Sequence, residues 1–365
     1  MIIGLLNWRD IRHPKAGGAE EFLYRQALHW IAAGHRVKWC AASFPGAPSR
    51  ATVEGIEIFR CGGEYSLYLV APVMYALHLS DCDVIIDAEN GIPFFTPLYS
   101  RKPKVLVMHH VHRHVLLTEL PRPVNYIAWS LEAVLMPMVY RRVPFIAVSE
   151  STRKDVTRYG YTRQPITVVY NGVDHDGLHS GPKAMAPTVV YLGRVVRYKR
   201  IPRLIELFDR VRAHVPDAKL VIAGDGEDLG PCKERAAQLS LSTSVEFLGR
   251  ISDARKSELL SSSWVFAQPS SVEGWGISVI EAAVCGTPSI AMRVPGLKDA
   301  IISGETGILV DSWDEFAEAL VSVLTHGAMR ERLAEGALGR SRDFSWKKSA
   351  DATLEVLTDA MGRRS

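Results

Sequence analysis

The chain has 365 residues, a formal net charge of +3 and an apolar share of 47%. That length favours two domains with a core each, and so mild a charge argues against a nucleic-acid partner. The five cysteines (Cys40, Cys61, Cys82, Cys232, Cys285) are scattered and form no CxxC, which reads as reduced thiols in a cytosolic protein, without a disulfide frame or zinc site.

The chain starts with a strand-like run, Ile2–Leu6, without the basic leader of a signal peptide. The loop 7–17 follows and ends in Ala16-Gly17-Gly18-Ala19-Glu20. Phe22, Leu23, Gln26, Ala27, Trp30 and Ile31 then recur at helical spacing, predicting a helix from Ala19 to Ala33 with Gly34 as its C-cap. Strand-like runs return at Arg36–Ala41, Ile56–Arg60, Val84–Asp87, Lys104–Met108, Phe145–Val148 and Ile166–Val169, with helical patterns at Leu67–Leu79 and Val124–Tyr140. Strands alternating with helices imply a mostly parallel, doubly wound sheet.

Residues 171–187 break the alternation with Gly172, Gly177, Gly181, Pro182 and Pro187, a linker composition. It restarts with strands at Val189–Leu192, Lys219–Ala223, Val245–Leu248, Trp264–Ala267, Ser289–Met292 and Ile308–Val310. A last helix is expected after Phe344-Ser345-Trp346, with Ser345 as N-cap. The expected plan is thus a Rossmann-like domain over 1–172, a linker over 173–187, a second Rossmann-like domain over 188–343 and a helix over 344–365. Two such domains bind ligands in the cleft between them, at the carboxyl ends of their strands.

The residues able to do chemistry fall at those strand ends. Glu273-Gly274-Trp275-Gly276-Ile277-Ser278-Val279-Ile280-Glu281 joins a strand to a helix through glycines. Free N–H groups at a helix start attract phosphate, and carboxylates on either side of the turn suit sugar hydroxyls. Arg194 and Lys199 follow the first strand of the second domain, where two cations can clamp a diphosphate. Gly224-Asp225-Gly226 is an incomplete fingerprint and reads as a tight turn. Gly249-Arg250-Ile251 is placed to line a base pocket. In the first domain, Gly17 and Gly18 at a helix start suit a phosphate or donor sugar. The run His109-His110-Val111-His112-Arg113-His114 also follows a strand. With no carboxylate or cysteine beside it at ligand spacing, a metal site is set aside in favour of a histidine near sugar hydroxyls or the reacting carbon. Leu120–Arg142, apolar and aromatic with arginines at its ends, reads as a core helix pair or a surface resting on anionic membrane.

Taken together these pieces resemble the family 4 retaining glycosyltransferases of GT-B fold. Glu273 to Glu281 is similar to that family's EX7E motif, and Ala16-Gly17-Gly18-Ala19-Glu20 to its N-terminal glycine loop. Val148-Ser149-Glu150-Ser151-Thr152 resembles its serine turn, and Asn171-Gly172-Val173-Asp174 the NGVD closing its first domain. Gly193-Arg194 with Lys199 resembles its cation pair, and Phe344-Ser345-Trp346 the start of a helix crossing back to the first domain. One departure is Lys199-Arg200, where the family usually has Lys-Gly.

The resemblance implies roles. Arg194 and Lys199 hold the donor diphosphate and Glu281 the ribose hydroxyls; Glu273 contacts the donor sugar, with the backbone of Gly274, Trp275, Gly276, Ile277, Ser278 and Val279 around sugar and phosphates. Gly17 and Gly18 approach the diphosphate, and Arg250 and Ile251 line the donor pocket. His109 best matches the family's histidine near the anomeric carbon, with His110 and His112 as alternatives, and His110, His112 and Arg113 are placed toward the acceptor. The implied catalytic set is His109, Glu273, Arg194 and Lys199, without metal or cofactor. The co-substrate is a UDP-, GDP-, ADP- or dTDP-sugar, and the acceptor a sugar, a lipid-linked sugar or a small molecule. The expected location is cytoplasmic, with a peripheral contact at the inner membrane face as an option. Rival readings are a GT-B nucleotide-sugar epimerase and a catalytically idle sugar-nucleotide-binding protein. A nicotinamide dehydrogenase is disfavoured because no fingerprint follows the first strand.

Overall fold

Short apolar runs separated by longer amphipathic ones become two sheets, each in its own unit. The computed structural model describes residues 1–113, 116–117 and 120–362. One unit comprises Met1–Gly172 with the C-terminal helix from Trp346, and the other Val173–Ser345.

The first unit holds β1 (Ile2–Leu6), β2 (Arg36–Ala41), β3 (Arg50–Val53), β4 (Ile56–Arg60), β5 (Val84–Glu89), β6 (Lys104–Met108), β7 (Phe145–Ala147) and β8 (Ile166–Val168). They lie in the order β3-β4-β2-β1-β5-β6-β7-β8. All neighbours are parallel except β3 and β4. The sequence did not predict β3, because Val53 is its only buried residue and no apolar run announces it. It pairs through a tight turn at Glu54-Gly55, both at positive φ, as a two-residue hairpin requires.

The helices of this unit include α1 (Gly18–Ala32), α2 (Leu67–Met74), α3 (Val124–Ser130), α4 (Met136–Val139) and α5 (Glu150–Arg158). The predicted helices at Leu67–Leu79 and Val124–Tyr140 each contain a π-helical turn, at Tyr75–Leu79 and Leu131–Leu135. Ser149 caps α5, its Oγ accepting the Thr152 N–H at 3.1 Å. The C-terminal helix Trp346–Gly362 packs on α1, where Gln26 Nε2 donates to Ser349 Oγ at 2.7 Å and Trp30 Nε1 to the Ala350 carbonyl at 3.0 Å. Both donors are buried, so these bonds satisfy groups that would otherwise destabilise the core.

The second unit is an all-parallel sheet of β9 (Thr188–Leu192), β10 (Lys219–Ala223), β11 (Val245–Gly249), β12 (Val265–Gln268), β13 (Ser289–Met292) and β14 (Gly307–Val310). Its order is β11-β10-β9-β12-β13-β14. The helices that matter for the site are α6 (Ile201–His214), α7 (Leu229–Gln238), α8 (Asp253–Ser262) and α9 (Ile277–Val284). Strand order reverses at β9, between β10 and β12. The loops leaving β9 and β12 therefore diverge, and a doubly wound sheet has its ligand crevice at such a point.

Residues 173–187 run along this second unit. The Ala184 N–H donates to the Ser262 carbonyl at 2.8 Å. Lys183 Nζ donates to the Ser261 and Gly286 carbonyls at 3.0 and 2.9 Å and to Thr287 Oγ1 at 2.7 Å. Val173 bridges to Ser345, so the chain enters and leaves the unit side by side. Among the described residues no helix is long and apolar enough to cross a membrane.

Candidate active site

In the second unit, the loops after β9 and β12 are tied together. Lys199 sits in a 3-10 turn, Arg197–Lys199, that leads into α6. It is buried, and its Nζ pairs with Glu273 Oε1. The same oxygen accepts from Gln268 Nε2 at 2.7 Å and Ser270 Oγ at 2.9 Å. Three donors on one carboxylate oxygen hold the Glu273 side chain in one orientation. The Ser271 N–H donates to the Tyr198 carbonyl at 2.9 Å, and the Tyr191 hydroxyl to the Arg194 carbonyl at 2.7 Å, stitching the two loops further. Arg194 is exposed, with Nη2 donating to the Tyr198 hydroxyl at 2.6 Å. Arg200 takes φ 56° and ψ 35°, left-handed backbone. It keeps the turn a glycine would make, at a cost of about 1–2 kcal/mol.

Helix α9 begins after Gly276 and carries Glu281 in its second turn. Lys256 of α8 reaches across, its Nζ 2.8 Å from Glu281 Oε1. Burial alone would lower the Lys256 ammonium, but Glu281 and Asp253 outweigh it and hold the pKa above its usual value. The backbone of Glu273 and Gly274 lies on Gly296, where a Cβ would stand 2.5 Å from the Glu273 carbonyl oxygen; only glycine fits. Trp275 is 3% exposed and packs edge-on against Phe344, centroids 4.9 Å apart, so its side chain anchors the loop.

Gly224-Asp225-Gly226 is the tight turn expected. A Cβ on Gly224, at φ 143°, would lie 1.8 Å from the Gly193 carbonyl oxygen. The turn after β10 thus supports the loop after β9. Arg250 is exposed, 3.9 Å from Asp225, with Ile251 next to it in the chain.

In the first unit, α1 starts at Gly18, and the Gly17 N–H donates to Glu20 Oε2 at 2.8 Å. Glu21 pairs with Arg25 at 2.5 Å, so both acids of this turn have local partners. The buried pair Asp10–Arg60, bonded twice at 2.6 and 2.9 Å, fixes the loop after β1.

His109 directly follows β6. It is 7% exposed, its ring lies edge-on to Phe22 at 5.4 Å, and its carbonyl accepts Thr152 Oγ1 at 3.1 Å. Nε2 is buried without a hydrogen-bond partner. Burial, with His112 adding to it, pushes its pKa down to about 3, so the ring is neutral at ordinary pH. His112 stands with Nδ1 3.2 Å from Glu89 Oε1, and its N–H donates to Glu132 Oε1 at 2.9 Å. Burial works to lower His112, but the two carboxylates prevail and raise it. Glu132 is pushed up to about 7, by burial first and then by the charge of Glu89. The His110 ring lies 3.7 Å from that of His112. Arg113 donates to the Tyr161 hydroxyl at 2.9 Å and to the Ala133 carbonyl at 3.2 Å. His114 lies outside the described residues.

The tertiary structure adds residues that sequence reasoning missed. Gln268 and Ser270 join Glu273, Lys256 joins Glu281, and Glu89 and Glu132 join His112. Gln268 and Glu89 carried a signal, each being a polar residue ending a buried strand. Glu132 carried another, an acid inside an apolar helical run. Nothing in sequence spacing marks Lys256. A cavity of about 650 Å³, lined by Lys102, Lys104, Met138, Arg141 and Arg142 among others, lies at the amino ends of β6 and β7 and contains none of the predicted site residues.

Comparison with known proteins identifies the family and the fold. Residues 179–340 match the family described as Glycosyl transferases group 1, and residues 16–176 match Glycosyltransferase Family 4. The D-inositol 3-phosphate glycosyltransferase of Stackebrandtia nassauensis is 31% identical over 221 residues, covering 55% of this chain and 50% of the relative. Sucrose-phosphate synthase from Thermosynechococcus elongatus superimposes with TM-score 0.82 at 19% identity, covering 100% of both chains. Alr3699/HepE of Anabaena, solved with UDP and glucose, gives TM-score 0.78 at 20% identity, covering 98% of this chain and 100% of its own. The chain spans about half the length of the curated D-inositol 3-phosphate relatives it matches. The two family matches follow one another along the sequence as the two Rossmann-like units do, and the chain belongs to the family 4 glycosyltransferases of GT-B fold.

Proposed function

We propose that this chain is a retaining glycosyltransferase that moves a sugar from a nucleotide-diphosphate donor to an acceptor hydroxyl. The observation that carries this reading is the cluster of Lys199, Glu273, Gln268 and Ser270 at the switch point of the second sheet, ahead of α9 and Glu281. A diphosphate is a strong competitor for the Lys199 ammonium. Binding it frees Glu273 to accept hydroxyls of the donor sugar while Gln268 and Ser270 keep the carboxylate oriented. Arg194, exposed and on the same loop, supplies the second cation. Together the two cations stabilise the charge that grows on the leaving diphosphate, the electrostatic role that Lys and Arg clamps serve in other transfer enzymes. Glu281, held by Lys256, takes the ribose hydroxyls. The UDP and UDP-glucose complexes of Alr3699/HepE, a protein of like fold, support a uridine nucleotide among the candidate donors.

The first unit is read as the acceptor half, with Gly17 and Gly18 assigned to the donor diphosphate. A neutral His109 with an unfilled Nε2 suits a hydrogen bond to a sugar hydroxyl. Among the described residues, the paired carboxylates of this region, Glu89 and Glu132, gather at His112, and we assign no two acids to flank the scissile bond as in a glycosidase. The proton of the acceptor hydroxyl is therefore assigned to the leaving phosphate, on the face from which the acceptor attacks, which retains configuration. The charge work falls to Arg194 and Lys199, so no metal is assigned to the diphosphate.

The test is a screen of UDP-, GDP-, ADP- and dTDP-sugars by thermal shift, since a ligand bound by the native state raises apparent stability. It is followed by incubation with candidate acceptors and nuclear magnetic resonance of the product. A product with inverted anomeric configuration would falsify the retaining reading. Conversion of the nucleotide-sugar without acceptor would make the chain an epimerase, and binding without transfer an idle binder.

A peripheral membrane contact forms part of the proposal. Along α3, the π turn and α4, Asn125 and Glu132 are buried while Tyr126, Ile127, Val134 and Met138 are exposed, with Arg141 and Arg142 following. This apolar outer face with a basic end suits an anionic bilayer surface.

A further inference from the structure

We propose that Glu89, His112 and Glu132 form a divalent-cation site in the first unit. The sequence reading set metal aside because no carboxylate stands near the histidine run. The fold brings in two, one from the carboxyl end of β5 and one from the π turn between α3 and α4. Each of the three residues can offer a ligand atom such that all three lie within 4.8 Å of one another. Glu89 Oε1 and His112 Nδ1 are 3.2 Å apart, so carboxylate and imidazole already face one another.

The hydrogen bonding leaves a ligand set over. Glu89 Oε1 accepts the Gly91 N–H at 2.6 Å. Glu132 Oε1 accepts the His112 N–H at 2.9 Å and the Tyr161 hydroxyl at 3.1 Å. Glu89 Oε2 and Glu132 Oε2 are buried with no hydrogen-bond partner, and His112 Nδ1 faces Glu89 Oε1 at 3.2 Å. Both glutamates are 0% exposed. Ligating carboxylates are usually oriented through their other oxygen in this manner. Two buried ionised carboxylates beside one imidazole remain one positive charge short of balance even with the imidazole protonated, and a bound cation would supply it. Arg113, the nearest cation in sequence, is directed at Tyr161 and the Ala133 carbonyl instead.

Two oxygens and one imidazole nitrogen suit a first-row transition ion such as Mn²⁺ or Zn²⁺ better than Mg²⁺ or Ca²⁺, which prefer all-oxygen sites. The ion would pin the loop after β6, and with it His109, to the end of β5 and to the helix carrying Glu132. This site is independent of the diphosphate cations of the second unit, so it stands or falls apart from the reading of the donor half.

The experiment uses the full chain, stripped with chelator and titrated with Mn²⁺ and separately with Zn²⁺ by calorimetry. One equivalent is expected to bind, weakened at least tenfold in both Glu132→Gln and His112→Gln. Electron spin-echo spectroscopy of the Mn²⁺-loaded native chain is expected to show coupling to one histidine nitrogen, which needs no variant to fold. Absence of saturable binding, binding unchanged in both variants, or Mn²⁺ without nitrogen coupling would overturn the site. In that event the three groups share a proton in place of a metal.

Discussion

Under the proposed function, single side chains in the second unit divide into those that bind and those that orient. Lys199→Ala is expected to lower turnover about 100-fold, the usual scale for a donor aimed at developing charge, while weakening donor binding less than tenfold. Glu281→Ala is expected to weaken nucleotide binding by about tenfold or more, the worth of hydrogen bonds to a charged group. Calorimetry and steady-state kinetics separate the two, and unchanged activity in both variants would sink the assignment. Lys256→Met leaves Glu281 without its partner and is expected to raise the nucleotide Kd about fivefold, near 1 kcal/mol. In the first unit, His109 makes a prediction about acid. Its folded pKa, about 3, lies below the unfolded value, so its contribution to stability is full above pH 6.5 and is lost as pH falls toward 3. The loss approaches about 1.4 kcal/mol per pH unit. Urea unfolding between pH 7.5 and 4.5 should show a shallower decline in His109→Gln than in the native chain. Parallel declines would mean the imidazole is not buried neutral.

At the scale of elements, the run from α3 through α4 is the least ordinary. A surface helix normally turns its apolar stripe inward. Here the inward side carries Asn125 and Glu132 among apolar Ala128 and Met136, and the outward side is apolar as well, with Tyr126, Ile127, Val134 and Met138. The double variant Tyr126→Ser, Ile127→Ser should melt with the native chain, because both side chains are exposed. Its binding to vesicles containing anionic lipid is expected to fall about tenfold or more, from the apolar area withdrawn from the bilayer. Equal binding to neutral vesicles, or none in the native chain, would remove the membrane contact. The sequence showed the helix and its apolar content. It did not show which side faced out, since an apolar residue at nearly every position leaves the periodicity without a phase. The strand positions were more legible, because buried parallel strands are continuous apolar runs. β3 was not, since an edge strand half in water lacks one.

At the scale of the whole molecule, each unit has its own sheet and core, and the last helix belongs to the unit where the chain began. Truncation after Ser345 would remove the partners of Gln26 and Trp30 and expose the face of α1 on which the last helix packs. The first unit is expected to lose at least about 3 kcal/mol, on the scale of one or two large core side chains. Scanning calorimetry should show its transition lowered or absent while that of the second unit persists. If both transitions hold, the helix contributes little to the first unit.

The sequence alone determined the alternating architecture, the restart of the pattern in a second unit, and the strand-to-helix glycine turn from Glu273 to Glu281 proposed for the donor. Local hydrophobic period and glycine placement encode these within a few residues of chain. Tertiary structure decided the partners. Lys199 meets Glu273 across 74 positions and Lys256 meets Glu281 across 25. Glu89 and Glu132 reach His112 from opposite directions along the chain. Strand order fixes such meetings, and strand order comes from long-range packing that no window of sequence contains. The histidine run looked solitary for that reason. Its carboxylates were present in the sequence, but only the parallel sheet and the helix beside it bring them to the histidine.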